Sequence, residues 1–422
     1  MNYGQRVCAA ALQGLHNRSG ASIYLDYGIY DDPTARRTNE NFLDDEIWYS
    51  KYRDLLGNQD QRNLDYYRKK FNLDVSYSSD LTALIAEHIE TLAGLVVWDD
   101  EMPDTVNVAL MLSAQENLLP VTIRQAEQLH SLGLVIKHDL CKRWSDRITL
   151  YRWAFDHLFE KCKPGMLACI EPGWQRTEFL DYIVQEKIFV YSLSATAGGL
   201  GSQLLLLLAF GPPRLREFLF ALSLDGLIRK FALTWMGLKS TEVKLSNHIQ
   251  KAVKSIPVPT IYGWHTRRDD ELTFMLQLSS NGLRLVPAHL AGNFSFHAKL
   301  PATGTKPVQS SRQFNLDPQG IYLTFTLSDG DQLMMMHSGE LGNWYSPQRG
   351  SIPFNWETQP LLTEIAPALL EKYTSTATEN DCLIAGPSGA GYIVPPLAPH
   401  LDAYSKETAR VCDIAGINVV TT

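Results

Sequence analysis

Along the chain, apolar residues alternate between helical spacing and short solid blocks. Residues 7–15 read as a first helix, and residues 23–25, Ile-Tyr-Leu, as a short strand. Leu81, Leu84, Ile85, Ile89 and Leu92 recur at helical intervals until Gly94 stops the helix, and the block 95–98 follows as a strand. Helical spacing returns over 107–114 and 123–132, Gly133 ends it, and 134–136 is again strand-like. Residues 150–162, 176–185 and the long run from Leu215 read as helices, with one strand at 188–192. The leucine run 204–208 reads as a buried helix. Further on, candidate strands lie at 260–264, 283–287, 321–327, 382–385 and 417–420, with a helix at 360–373.

Short apolar blocks separated by helices are the pattern of α/β units with parallel strands. They divide the chain into a first domain over 1–75, a small α/β domain over 76–145, a mostly helical domain over 146–255 and a larger C-terminal domain over 256–422. The fold class is therefore α/β and multidomain. Polar, glycine-rich loops after the C-terminal strands suggest a (β/α) barrel or an open doubly wound sheet, and both folds carry chemistry at the carboxyl ends of their strands.

Composition narrows the function. The chain has 422 residues and a formal charge of −8, which argues against a nucleic-acid or general polyphosphate binder. No apolar run approaches the roughly 20 residues of a bilayer span, and the first 12 residues do not form a signal peptide. The six cysteines include no CxxC pair, so buried free thiols are expected rather than zinc or a disulfide framework. Nine Trp, 18 Tyr and 16 Phe suit sugar handling, because flat rings stack on the apolar faces of sugars.

Candidate chemistry gathers in the C-terminal quarter. Asp329 and Asp331 flank Gly330 directly after the 321–327 strand, where two carboxylates can supply an acid and a base or hold a cation. The loop 386–395, GPSGAGYIVP, follows the 382–385 strand, and its glycines permit close backbone approach to a ligand. Trp344 and Trp356 are candidate walls of a sugar subsite, with Asn355 beside them. Trp264 ends another strand, and Glu271 lies in an acidic run just beyond. HExxH, GxSxG and a phosphate loop closed by Lys-Ser/Thr are all absent. The sequons at Asn17 and Asn293 read as chance occurrences.

Gly389-Ala390-Gly391-Tyr392-Ile393-Val394-Pro395 resembles the signature of the GxGYxYP family, whose members are described as putative glycoside hydrolases. Val394 stands where the signature has its second Tyr. Ser328-Asp329-Gly330-Asp331, the segment 12–18 and Tyr262-Gly263-Trp264 are similar to other family segments, so the likeness runs from about Leu12 to the end. The resemblance implies small N-terminal domains, a barrel-like C-terminal domain that here appears truncated, and carbohydrate processing by exported or cell-envelope proteins. On that basis the expected function is glycoside hydrolysis, with Asp329, Asp331, Glu271 and Glu357 as candidate carboxylates. Trp264, Trp344, Asn355, Trp356, Ser388, Gly389, Gly391 and Tyr392 are the candidate sugar contacts. No cofactor is expected beyond a candidate cation at Asp329 and Asp331. The alternatives are a metal-assisted hydrolase of carbohydrate substituents and a non-catalytic glycan-binding or scaffold protein.

Overall fold

The computed structural model describes residues 1–27, 58–195, 240–253, 258–269, 271–304, 317–328, 330–340 and 342–421. Asp329 and the leucine run 204–208 lie outside the described residues.

The chain opens with α1 (Tyr3–His16), α2 (Gln59–Phe71) and α3 (Leu81–Glu87). A first α/β unit follows: β1 (Gly94–Val97), α4 (Thr105–Glu116), β2 (Leu118–Val121), α5 (Ile123–Leu129) and β3 (Ile136–Asp139). Its strands are parallel in the order β2-β1-β3. Helix α1 is buried on nearly every side. Its Val7, Ala10, Ala11 and Leu15 join the main core, while Cys8 and Leu12 join the core of this first sheet. A helix so surrounded needs small and apolar residues all round, and its CAAAL run supplies them.

The next stretch holds α6 (Arg147–Leu158), β4 (Met166–Cys169), α7 (Leu180–Glu186), β5 (Phe189–Tyr191), α8 (Thr241–Ala252), β6 (Thr260–Gly263), α9 (Glu271–Ser280), β7 (Arg284–Pro287) and α10 (Phe294–His297). Strands β5-β4-β6-β7 form one parallel sheet. The β4–β6 pairing joins segments on either side of residue 255. A third parallel sheet, β10-β9-β8, is built from β8 (Thr326–Leu327), β9 (Phe354–Thr358) and β10 (Asp381–Ala385). Around it lie α11 (Gln332–His337), α12 (Leu362–Ile365), α13 (Pro367–Thr376) and α14 (Leu401–Ala415). Tyr392 bridges Leu285 of β7, and Val420 bridges Ala385 of β10. The described strands thus form three sheets rather than one closed ring.

Three local expectations change for physical reasons. Residues 23–25 run outside any sheet, because side-chain amides take the place of a partner strand. Asn17 binds the N–H and C=O of Ile23, and Asn293 binds the N–H and C=O of Leu25. The same bonds bury both sequon asparagines completely, which closes them to glycosylation. The strand expected over 321–327 narrows to Thr326–Leu327, with Ile321 92% exposed. The helix expected over 360–373 divides at Ala366, because the residue before a proline is pushed out of the helical region and Pro367 restarts the helix at its first turn. All six cysteines are free. Among the described residues no helix is long and apolar enough to cross a membrane.

Candidate active site

The candidate residues stand at the carboxyl ends of strands in two of the three parallel sheets. Trp264 directly follows β6, His289 lies two residues beyond β7, Asp331 follows β8, Glu357 stands near the end of β9, and the glycine loop follows β10. This is the end of a parallel sheet where ligands bind in α/β folds.

Glu357 is 3% exposed, and both of its oxygens are engaged. Ser328, just past β8, donates its hydroxyl to Oε2 at 2.6 Å, and Thr421 donates its hydroxyl to Oε1. A carboxylate held by two hydroxyls from separate chain segments is fixed in orientation before any ligand arrives.

Asp331 caps the amino end of α11, and its Oδ2 lies 3.6 Å from His289 Nε2. Burial, then the nearby Arg176 and His265, push the His289 imidazole down to about 3. At neutral pH it is therefore an uncharged ring facing the Asp331 carboxylate. Trp264 stacks on this ring at 5.1 Å between centroids and 23° between planes, and Trp174 closes it from another side at 6.5 Å. Tyr392 is half-buried, and its ring edge lies against Gly330, where a Cβ on the glycine would stand 3.9 Å from it. Burial, then the Glu271 carboxylate, push the Tyr392 hydroxyl up, so Glu271 at the exposed start of α9 belongs to the same neighbourhood. Four of the expected residues thus come together, Trp264, Glu271, Asp331 and Tyr392, and Glu357 stands at the neighbouring strand end, tied to Ser328.

The others have different tasks. Trp344 and Trp356 are 3% and 4% exposed, and they pack edge to face at 5.0 Å. Their ring nitrogens donate to Thr376 and Asp381, so both are core residues on the far side of β9. Asn355 donates to Thr326 of the neighbouring strand. The Ser388 hydroxyl is spent inside its own loop, on the carbonyl of Ile393. The signature glycines approach protein rather than an open cavity. A Cβ on Gly389 would stand 2.4 Å from Thr408 Cγ2 of α14, and one on Gly391 would stand 3.0 Å from Arg284. Tyr404 of α14 donates its hydroxyl to the carbonyls of Ser388 and Gly391, which clamps the loop on the helix.

Gly389 has φ of +100°, so Gly389→Ala adds backbone strain to the clash. The expected cost is about 2–5 kcal/mol, read by chemical denaturation. Adding Thr408→Ser should recover only the steric share, because the serine keeps the oxygen that accepts from Ala390 N but loses the methyl group. A change below about 0.5 kcal/mol in Gly389→Ala would mean that the loop is not packed as described.

Sequence reasoning passed over His289, Trp174 and Glu171. The first two carry no motif, although His289 could have been found by the rule that took Trp264, a polar residue just past a buried strand. Glu171, two residues beyond β4, accepts from Ser192 Oγ at 3.0 Å, Arg268 Nη1 at 3.0 Å and Gly173 N at 3.1 Å. With its acceptors filled, it braces the neighbouring end of the four-stranded sheet. Among the described residues no three His, Cys, Asp or Glu side chains are grouped to hold a metal ion, and Asp329, half of the expected cation pair, lies outside them.

Two family models and one solved structure match the chain. Residues 319–422 match the GxGYxYP putative glycoside hydrolase C-terminal domain, and residues 92–162 match the GxGYxYP_N second domain. A crystal structure of a putative hydrolase from Bacteroides thetaiotaomicron shares the fold, with a TM-score of 0.71 at 19% identity. The match covers 99% of this chain and 67% of that one. No curated protein matches the chain.

Proposed function

We propose, from the premise that the chain belongs to the GxGYxYP family, that it hydrolyses glycosidic bonds at the carboxyl ends of its parallel strands. The observation that supports the reading is the placement of two carboxylates, Glu357 and Asp331, at the same end of the adjacent parallel strands β9 and β8. Ser328 binds Glu357 directly, and Asp331 lies three residues further along the same turn. Retaining glycosidases hold their two carboxyls roughly 5–5.5 Å apart and inverting ones roughly 6.5–9.5 Å.

In this reading one carboxyl protonates the departing glycosidic oxygen. The other either activates the water that adds to the anomeric carbon or attacks that carbon itself. The neutral His289 ring, pinned under Trp264, orients Asp331 without adding a competing positive charge. Tyr392 and Trp264 offer ring faces and a hydroxyl to the sugar. A barrel-like closure of the C-terminal strands is the finer form of the fold reading, supported by the Leu285–Tyr392 bridge, which ties the chain beyond β10 to the edge of β7. The four-part division at 75, 145 and 255 is kept as part of the proposal, with the third and fourth parts sharing a sheet.

The test is release of reducing sugar from a panel of aryl glycosides and polysaccharides. Turnover of at least one member is expected, with Asp331→Asn slower by about 10²–10⁴-fold. No turnover on any member, or Asp331→Asn at wild-type rate, overturns the reading.

A further inference from the structure

A cavity of about 550 Å³ lies away from the site just described, at the amino ends of β9 and β10. Its walls include Arg62, Asp65 and Tyr66 of α2, Tyr345 and Arg349 of the segment before β9 with the edge of Trp344, and Lys372 of α13. Each cation rests on an aromatic ring. Arg62 lies 4.4 Å from the Tyr345 centroid, Arg349 lies 4.3 Å from Trp344, and Lys372 lies 5.1 Å from Tyr345. Arg349 is neutralised by Asp381, the first residue of β10. Lys372 is not neutralised in this way. It is 5% exposed, and among the described residues its ammonium donates to two neutral oxygens, Asn63 Oδ1 at 2.7 Å and the Tyr345 hydroxyl. A buried ammonium without a counter-ion is costly unless something of opposite charge reaches it.

We propose that this cavity is a second binding site, and that it takes a sugar bearing a carboxylate or a sulfate ester, with the anionic group seated between Lys372 and Arg62. The anionic part follows from Lys372, whose ammonium meets no carboxylate among the described residues, with the Arg62 side chain beside it at the cavity wall. The sugar part rests on the glycan-hydrolase reading and on the volume, which exceeds what a simple inorganic anion fills.

The site should also take up a proton on binding. Burial, then Arg62, push Lys372 down to about 7. The other charged or titratable groups around it are Asp65 of α2, Tyr345 and Arg349 before β9, Glu371 beside it on α13, which is paired with Lys70, and His297 of α10. An anion beside Lys372 raises its pKa, so at pH 8 the complex should bind more protons than the free protein, and affinity should fall as pH rises above 7.

Calorimetry with D-glucuronate, N-acetylglucosamine 6-sulfate, D-glucose and inorganic sulfate tests this. One of the two anionic sugars is expected to bind at least tenfold more tightly than glucose and than inorganic sulfate, and which one does so identifies the anionic group. Titration at pH 8 in two buffers of different ionisation enthalpy should report proton uptake. Arg62→Gln and Lys372→Met should each weaken binding at least tenfold, and Arg62→Gln decides the matter if Lys372→Met does not fold. Asp331→Asn should bind like wild type. Absence of binding up to 20 mM, equal binding of glucose, inorganic sulfate binding as tightly as either sugar, or unchanged binding in Arg62→Gln overturns the proposal. Failure of glycoside hydrolysis leaves these binding measurements intact, so the two readings fail separately.

Discussion

Glu357→Gln should lower turnover by about 10²–10⁴-fold, the usual worth of a positioned acid or base, while the protein still folds. The side chain is buried at the carboxyl end of β9 and takes one hydroxyl on each oxygen. Glutamine has the same shape and keeps one acceptor oxygen. Its NH2 then faces a hydroxyl that can rotate and accept instead. The architecture is therefore nearly preserved while the charge and the titrating proton are removed, and the rate loss can be read apart from stability. Ser328→Ala and Thr421→Val are the complementary changes. Each removes one hydroxyl and keeps the carboxylate, so each should cost far less rate than Glu357→Gln. If Glu357→Gln keeps more than a third of kcat while the hydroxyl variants lower the melting temperature, Glu357 is a tie between β8, β9 and the C-terminal segment and has no part in the chemistry.

The parts of this design that were legible in the sequence are those whose physics is local. Strands β6, β7 and β10 read as strands because a parallel strand buried on both faces is a largely apolar block, as TIYG, RLVP and CLIA are, with Thr260 and Arg284 hydrogen-bonded to each other. Strand β9 did not, because Phe-Asn-Trp-Glu-Thr mixes polar and aromatic residues. Its polar member Glu357 is tolerated inside only through hydroxyls 29 and 64 residues away in sequence, which no local pattern reports. The aromatic cluster misled for a related reason. Trp344 and Trp356 look like sugar platforms of the strand-end site until Asp381 and Thr376, brought by β10 and α13, satisfy their ring nitrogens on the other side of β9, where only the edge of Trp344 reaches the separate cavity. Glycines 389 and 391 were rightly read as permitting close approach, but what approaches is α14 and Arg284. The site itself was half legible: Trp264, Asp331 and Tyr392 stand at strand ends that the pattern locates, whereas the His289 ring that faces Asp331 becomes visible only once α11, which Asp331 begins, is seen to pack against β7.

Glu340→Met should stabilise the protein, and by more at pH 8 than at pH 5. Glu340 lies just after α11, is fully buried, and neither carboxyl oxygen has a hydrogen-bond partner. Burial, then the Glu357 and Asp381 carboxylates, push its pKa well above the usual 4.5. The folded protein therefore holds a proton on Glu340 that the unfolded chain releases once the pH passes about 4.5. Between that value and the raised one the folded state binds more protons than the unfolded state, so its stability falls as pH rises. Methionine fills a similar volume with a flexible apolar chain and needs no partner. Removing one unsatisfied buried polar group is worth about 1–3 kcal/mol, and the gain should widen with pH because only the wild type carries the penalty. The residue keeps its φ of +47° in either form, so backbone strain cancels in the comparison. Denaturant midpoints of both proteins at pH 5 and pH 8 measure the effect. A Glu340→Met protein that is less stable than wild type at pH 8, or whose advantage does not grow between the two pH values, would show that the carboxyl is satisfied in the folded state. If it loses hydrolysis instead while gaining stability, the unpaired acid is strain retained for the reaction, acting on Glu357 through their mutual charge rather than through substrate.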